Sequence, residues 1–351
     1  MTARDSSSAK VTTTEQKPMD TTIALDLMGG DIGAAATVPA AIAAVEASPT
    51  LSLVLVGPEK KIRSQYGSQL DHSRLLFCDA SEVIDMHESP TGVLKGKPDS
   101  SMRRAIDLVN DGAAAACVSA GNTGALTAMG TLVIKRLSGI ERPAIVYPLP
   151  RSRGHVYMLD LGASNDATPR RLFQFGIMGA MLSQYLDNKS RPSIGLLNIG
   201  KEEGKGSEYL TEAATLFKQS PLNYVGYVEG NDIYAGEVDV IVCDGFTGNV
   251  ALKTSEGLVE MIRSILREEY GRTVFARAAG MLSLPVLQRI KSRTDSRRYN
   301  GAMLLGLQKP VVKSHGGADA FALTHAIRVA MEVVEKRITS HIADQLNQLE
   351  G

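Results

Sequence analysis

Five apolar runs in this chain end in short polar loops that carry glycine. They are Met28-Gly29-Gly30-Asp31, Ser119-Ala120-Gly121-Asn122-Thr123-Gly124 and Asp160-Leu161-Gly162-Ala163-Ser164. The other two are Asn198-Ile199-Gly200, leading to Glu203-Gly204-Lys205-Gly206, and Asp244-Gly245-Phe246-Thr247-Gly248-Asn249. Ligands of open α/β sheets gather at such strand ends. Two loops share the pattern Gly-x-Thr-Gly, at Gly121–Gly124 and Gly245–Gly248, each after an apolar strand and opening a helix. Backbone N–H groups at a helix start, approached without Cβ hindrance, hold phosphate or an acyl oxyanion. The same pattern also closes ordinary strand-to-helix turns.

Single residues in these loops carry further chemistry. Lys205 stands between two glycines, where an ammonium neutralises phosphate or is simply solvated. Asn249 begins a helix, as a cap or as a hydrogen-bond donor. His315, in Lys313-Ser314-His315-Gly316-Gly317-Ala318-Asp319, precedes another helix and reads as a cap or as part of a site at its N-terminus. Three better-known patterns fail. Gly200–Ser207 lacks the second glycine of a nucleotide phosphate loop, because Lys205 occupies it. Gly29-Gly30-x-x-Gly33 is not the dinucleotide fingerprint. Cys117-Val118-Ser119-Ala120-Gly121 has Cys where a nucleophile elbow has Gly.

The elements that must position these loops follow from apolar patterning. Strands are expected at Thr22–Leu27, Leu51–Val56, Arg74–Cys78, Ala113–Ser119, Val156–Leu161, Ser193–Ile199, Tyr224–Tyr227 and Val238–Cys243. Helices are expected at Thr37–Ala47, Ser100–Asn110, Thr123–Leu137, Pro169–Leu186 and Ser207–Lys218. This alternation predicts a parallel sheet covered on both faces. Residues 1–20, rich in Ser, Thr and Lys, read as a disordered tail. Residues 21–340 read as one α/β unit and 341–351 as a C-terminal tail. Gly112–Ile134 has no charged residue, but Ser119, Gly121, Asn122, Thr123 and Gly124 interrupt it, so strand, turn and helix fit better than a membrane span.

Composition closes off several function classes. The 351 residues include 38 Lys plus Arg, 38 Asp plus Glu, and no Trp. A zero net charge argues against a globally basic nucleic-acid binder, and scarce aromatics argue against stacking platforms for single strands. Three scattered cysteines without a CxxC point to a reduced, cytoplasmic protein. No His-x3-His pair occurs, so no metal site is expected. Charge is uneven, however. Between Arg263 and Arg298, nine basic residues face three acidic ones, around the apolar Met281, Leu282, Leu284, Val286 and Leu287. The segment 258–298 therefore reads as an amphipathic helical element, packed on the body or suited to an anionic membrane surface or an acidic protein.

Taken together these motifs resemble one family, the bacterial phosphate acyltransferases of the PlsX type. The matching segments are Ala24–Asp31, Lys97–Met102, Ser119–Leu126, Arg142–Ile145, Leu159–Ala163, Gly195–Gly206, Val242–Gly257 and Lys313–Gly316. They span Ile23 to about Ala330 in the family's order. Ser164-Asn165 departs from the family's usual Asn-Val, and Gly204 stands where Lys is common.

The resemblance implies a Rossmann-like α/β/α sandwich with a mostly parallel sheet, related to isopropylmalate dehydrogenases and phosphotransacetylases, plus an amphipathic helical hairpin. It implies transfer of a fatty acyl group from acyl carrier protein to inorganic phosphate, without a cofactor. The acyl phosphate would feed a membrane glycerol-3-phosphate acyltransferase in phospholipid synthesis. It further implies a homodimer, peripherally membrane-associated through the hairpin. The family's functional residues fall on Lys205 and Asn249, with Asp244 beside them. Gly29, Gly30, Asp31, Ser119, Gly121, Asn122, Thr123, Gly124, Thr247, Gly248 and His315 are the expected substrate-binding residues. The runner-up reading is a phosphotransacetylase acting on acyl-CoA. A hydroxy-acid dehydrogenase and a non-catalytic scaffold stand further back.

Overall fold

The computed structural model describes residues 20–164 and 166–350. Asn165 and nearly all of the expected N-terminal tail lie outside the described residues. Eleven strands form a single sheet: β1 Thr21–Asp26, β2 Leu51–Gly57, β3 Leu75–Asp79, β4 Ala116–Ser119, β5 Ala144–Pro150, β6 His155–Leu159, β7 Ser193–Leu197, β8 Asn223–Val228, β9 Val240–Val242, β10 Ala302–Leu305 and β11 Val311–Lys313. The helices are α1 Ala34–Ala47, α2 Glu59–Tyr66, α3 Pro90–Gly96, α4 Ser101–Asn110, α5 Thr123–Met129, α6 Pro169–Leu186, α7 Glu208–Gln219, α8 Asp232–Ala235, α9 Gly245–Gly271, α10 Val274–Thr294, α11 Ala320–Glu335 and α12 Ile338–Glu350.

The strand order is β3-β2-β1-β4-β11-β10-β5-β6-β9-β7-β8. Strands on each flank pair in parallel, but the centre does not: β11–β10, β10–β5 and β5–β6 are antiparallel. The expected parallel sheet is therefore mixed. Apolar patterning identifies buried strands but does not encode their direction. β5, β10 and β11 are absent from the sequence reading. β10 and β11 are only four and three residues long, and unlike the equally short β4 and β9 neither runs through a brief Gly-bearing loop straight into a helix.

Three successive reversals set β1, β4 and β11 running opposite to β6, β9 and β7. The carboxyl ends of the two groups thus point to opposite edges of a twisted sheet. An apolar core covers each face. α1, α6, α7, α11 and α12 pack on one side, and α4 and α5 on the other. This is an α/β/α sandwich.

Two boundaries differ from expectation. Residues 341–350 belong to α12 rather than a tail, because Ile342 and Leu346 are buried against the core. α5 ends at Met129 and widens into a π turn at Gly130–Ile134. The charge-poor stretch Gly112–Ile134 is β4, loop and helix, and no helix among the described residues is long and apolar enough to cross a membrane.

Candidate active site

The loops after β1, β4 and β11 close on one another. Asp26, the last residue of β1, is buried and accepts the N–H groups of Met28 and Gly29 on Oδ1, at 3.2 and 3.1 Å. Its Oδ2 accepts the Ser119 hydroxyl at 2.6 Å, and Ser119 Oγ in turn accepts Gly121 N–H at 3.0 Å. Burial pushes the Asp26 pKa up, while hydrogen bonds from Ser101, Ser119, Met28 and Gly29 pull against it. No imidazole stands between Ser119 and Asp26, so the nucleophile-elbow reading has no base in the expected place.

Gly30 takes a positive φ of 88°, and a Cβ there would meet the Gly316 carbonyl at 2.7 Å. Only glycine lets the β1 and β11 loops approach so closely. Asp31 N–H donates to that same carbonyl at 2.9 Å, and the Asp31 carboxylate lies beside Gly316 and Gly317. His315 is exposed, yet desolvation by the loops around it still lowers its pKa and favours the neutral ring. Its Nδ1 accepts Gly317 N–H, so it does not cap α11; Asp319 does. Gly29, Gly30, Asp31, Ser119, Gly121 and His315 thus come together. Asn122 caps α5 through Ala125 N–H and donates its amide to Met86 and Glu88 carbonyls.

A second cluster forms after β6 and β9. Asp160 is fully buried and accepts N–H groups from Ile145, Gly162, Ala163 and Ser164, plus the Ser164 hydroxyl. Burial drives its pKa up against those donors. Asp244 caps α9, accepting Thr247 N–H at 2.9 Å and the Thr247 hydroxyl at 2.6 Å. Asn249 is therefore not the cap. It stands one turn inside α9, exposed, with its amide beside Gly162. Gly245 and Gly248 press on Asp160 and Ser164 so tightly that a Cβ at Gly248 would lie 1.9 Å from the Asp160 carbonyl.

Many N–H groups expected to face a ligand are already spent. Those of Gly29, Gly121 and Thr247 bond within the loops. The first-turn donors that helix geometry leaves over are those of Gly245 and Phe246 on α9 and of Thr123 and Gly124 on α5. Lys205 lies on a third loop, after β7. Its ammonium is exposed, pairs with Glu202 at 2.8 Å, and is held more firmly protonated by that partner. Among the described residues it makes no hydrogen bond to Asp244 or Asn249.

A family model described as "Fatty acid synthesis protein" matches residues 21–341. The phosphate acyltransferase of Nitrosococcus oceani is 51% identical over 330 residues, covering 93% of this chain and 97% of that protein. This chain belongs to that family. The phosphate acyltransferase of Methylococcus capsulatus is 49% identical over 335 residues, covering 94% and 98%. Among solved structures, the EutD phosphotransacetylase of Staphylococcus aureus superposes with a TM-score of 0.58 at 15% identity, covering 90% of this chain and 94% of that one. That likeness shows a shared fold.

In this member of the phosphate acyltransferase family, α9 links the two clusters. It starts beside Asp160 and crosses β6. Lys253 and Glu256 then come near enough to act on His315, and Lys253 also on Lys313. Beyond Ser255, which bonds Tyr234, α9 and α10 form a hairpin. Phe275 is 89% and Leu282 84% exposed on it. Met281, Leu284 and Val286 are exposed too, and Leu287 is half-buried. Arg293 anchors the returning helix to the Ser152 carbonyl.

Sequence reasoning quoted Asp26, Asp160 and Lys313 within motifs but gave them no role. Their signal is an ionisable residue at the end of an apolar strand, where burial follows. The buried thiols Cys117 and Cys243 have pKa values pushed far up by burial, so neither is a ready nucleophile. Among the described residues no group of three or more His, Cys, Asp or Glu could hold a metal.

Proposed function

We propose that this protein transfers a long-chain acyl group from acyl carrier protein to inorganic phosphate, yielding an acyl phosphate for phospholipid synthesis. The observation that carries the reading is half identity over nearly the full length of two phosphate acyltransferases. Phosphate, partly dianionic at neutral pH, attacks the thioester carbonyl. The C–S bond breaks as the new C–O bond forms, and the thiolate leaves. A thiol pKa of about 8.5 means the leaving group needs little acid assistance. What phosphate needs is desolvation and placement.

In this scheme Lys205 supplies positive charge to phosphate. Across the cleft that α9 spans, the Thr123 and Gly124 N–H groups, His315, Asp31 and the Gly29–Gly30 turn face the substrate from the β1, β4 and β11 side. The tetrahedral oxyanion is met by the Asn249 amide and the Gly245 and Phe246 N–H groups. Asp244 acts by fixing the start of α9 through Thr247, and Gly248 lets that start pack on Asp160. The exposed apolar hairpin, with basic residues at its turn and along both helices, suits an anionic membrane. There it would hand product to a membrane glycerol-3-phosphate acyltransferase, with the protein a cytoplasmic, peripherally bound homodimer. The test supplies palmitoyl-acyl carrier protein and phosphate and traps acyl phosphate with hydroxylamine. A phosphate-dependent hydroxamate is expected, and its absence overturns the reading. Running palmitoyl-CoA in parallel distinguishes the carrier.

A further inference from the structure

Lys313 ends β11 with its side chain buried, 9% exposed. Its ammonium has three donors. One reaches the Ala120 carbonyl of the β4 loop at 3.2 Å and another the Ser314 carbonyl of its own loop. No carboxylate lies within ion-pair distance among the described residues. Neutral carbonyls alone offset poorly the cost of burying a cation, so its stability contribution does not account for its presence. Its geometry does. The Ala120–Gly121 peptide is gripped at both ends, its carbonyl by Lys313 and its N–H by Ser119 Oγ, which hangs from Asp26. Ser314 N–H also donates to the Ser119 carbonyl at 2.9 Å.

We propose that Lys313 is a positioning residue for the acyl-transfer reaction, its ammonium clamping the β4 loop to the β11 loop so that Gly121–Gly124 and His315 hold one relative placement. The inference rests on the function proposed above. The charged and titratable groups around the ammonium are Asp26 from β1, Asp31 from the β1 loop, Lys253 from α9 and His315 of its own loop. Burial is the largest influence and brings the Lys313 pKa down to about 8. The clamp is therefore charged at neutral pH and loses its charge in mildly alkaline solution.

The test compares the full-length wild type with Lys313→Met and Lys313→Arg. Lys313→Met is expected to lower kcat at least tenfold while leaving the KM for the acyl donor within about twofold. Lys313→Arg, whose charge persists, is expected to extend activity to higher pH than the wild type. Unchanged kcat in Lys313→Met, or a shared alkaline limb in wild type and Lys313→Arg, overturns the inference. Should both variants fail to fold, hydrogen exchange in the wild type decides. Corrected for intrinsic base catalysis, protection of the Gly121 and Ser314 amides, one on each clamped loop, should fall between pH 7 and 9 while that of the 162–164 segment holds. Equal behaviour of the two segments overturns it. A wild type that makes no hydroxamate sinks the function reading instead, without bearing on the exchange result.

Discussion

The Ser119 hydroxyl donates to the buried Asp26 carboxylate across 2.6 Å, joining residues 93 positions apart in sequence. One oxygen both satisfies a buried carboxylate and receives the Gly121 N–H. Ser119→Ala deletes both bonds, leaving the buried Gly121 N–H unpaired and the buried Asp26 carboxylate one donor short. It should cost about 3 kcal/mol in denaturant unfolding. A loss under about 1 kcal/mol would show that the pair adds little.

Gly248 should accept no side chain. A Cβ there would stand 1.9 Å from the Asp160 carbonyl and 2.9 Å from Cys243 Sγ, so α9 must shift. Gly248→Ala should destabilise by about 3 kcal/mol or more. Gly257, with open space around its missing Cβ, should tolerate Ala; similar melting losses at both positions would contradict the packing account.

Lys205 and Asn249 should fail differently. Lys205→Ala removes charge from phosphate and should raise the phosphate KM about tenfold or more. Asn249→Ala removes a donor to the developing oxyanion and should lower kcat about 100-fold. Steady-state kinetics with phosphate varied separates them. Normal turnover in Lys205→Ala would remove the centre of the scheme.

Leu282→Glu places charge on an exposed apolar stretch of α10, away from the clusters that hold the chemistry. It should abolish co-sedimentation with anionic phospholipid vesicles while activity on soluble donor stays within about twofold. Undiminished pelleting would rule out the exposed middle of α10 as the membrane contact.

Stability should carry a signature of Lys313. Its pKa is about 8 when folded and 10.5 in the ordinary range. Between those values the unfolded chain binds more protons, so stability rises with pH there. About 2.5 pK units correspond to about 3 kcal/mol. Lys313→Met lacks this term, so its stability relative to wild type should decline by about that amount from pH 8 to 10.5. Parallel unfolding curves for the two proteins across that range would refute the burial of the charge.

Much of the architecture was legible in sequence because burial leaves a local record. Apolar runs closed by Gly-bearing loops located most of the strands, and Pro169–Leu186 showed its helix at both ends. The motif order was enough to identify the family, and the basic, apolar segment marked the hairpin. Strand direction left no such record, since a buried strand reads alike either way. Hence the antiparallel centre, β10 and β11, came only with the fold. The same limit applied to the strand-end loops. The Gly-x-Thr-Gly repeat gave Gly121–Gly124 and Gly245–Gly248 equal standing, yet tertiary packing spent the N–H groups of Gly121 and Thr247 internally and set the two loops on oppositely running strands. The roles of Asp26, Asp160 and Lys313 likewise depended on long-range neighbours. Sequence fixes which groups a loop carries; only the packed chain decides which of them are already paired and which remain for a ligand.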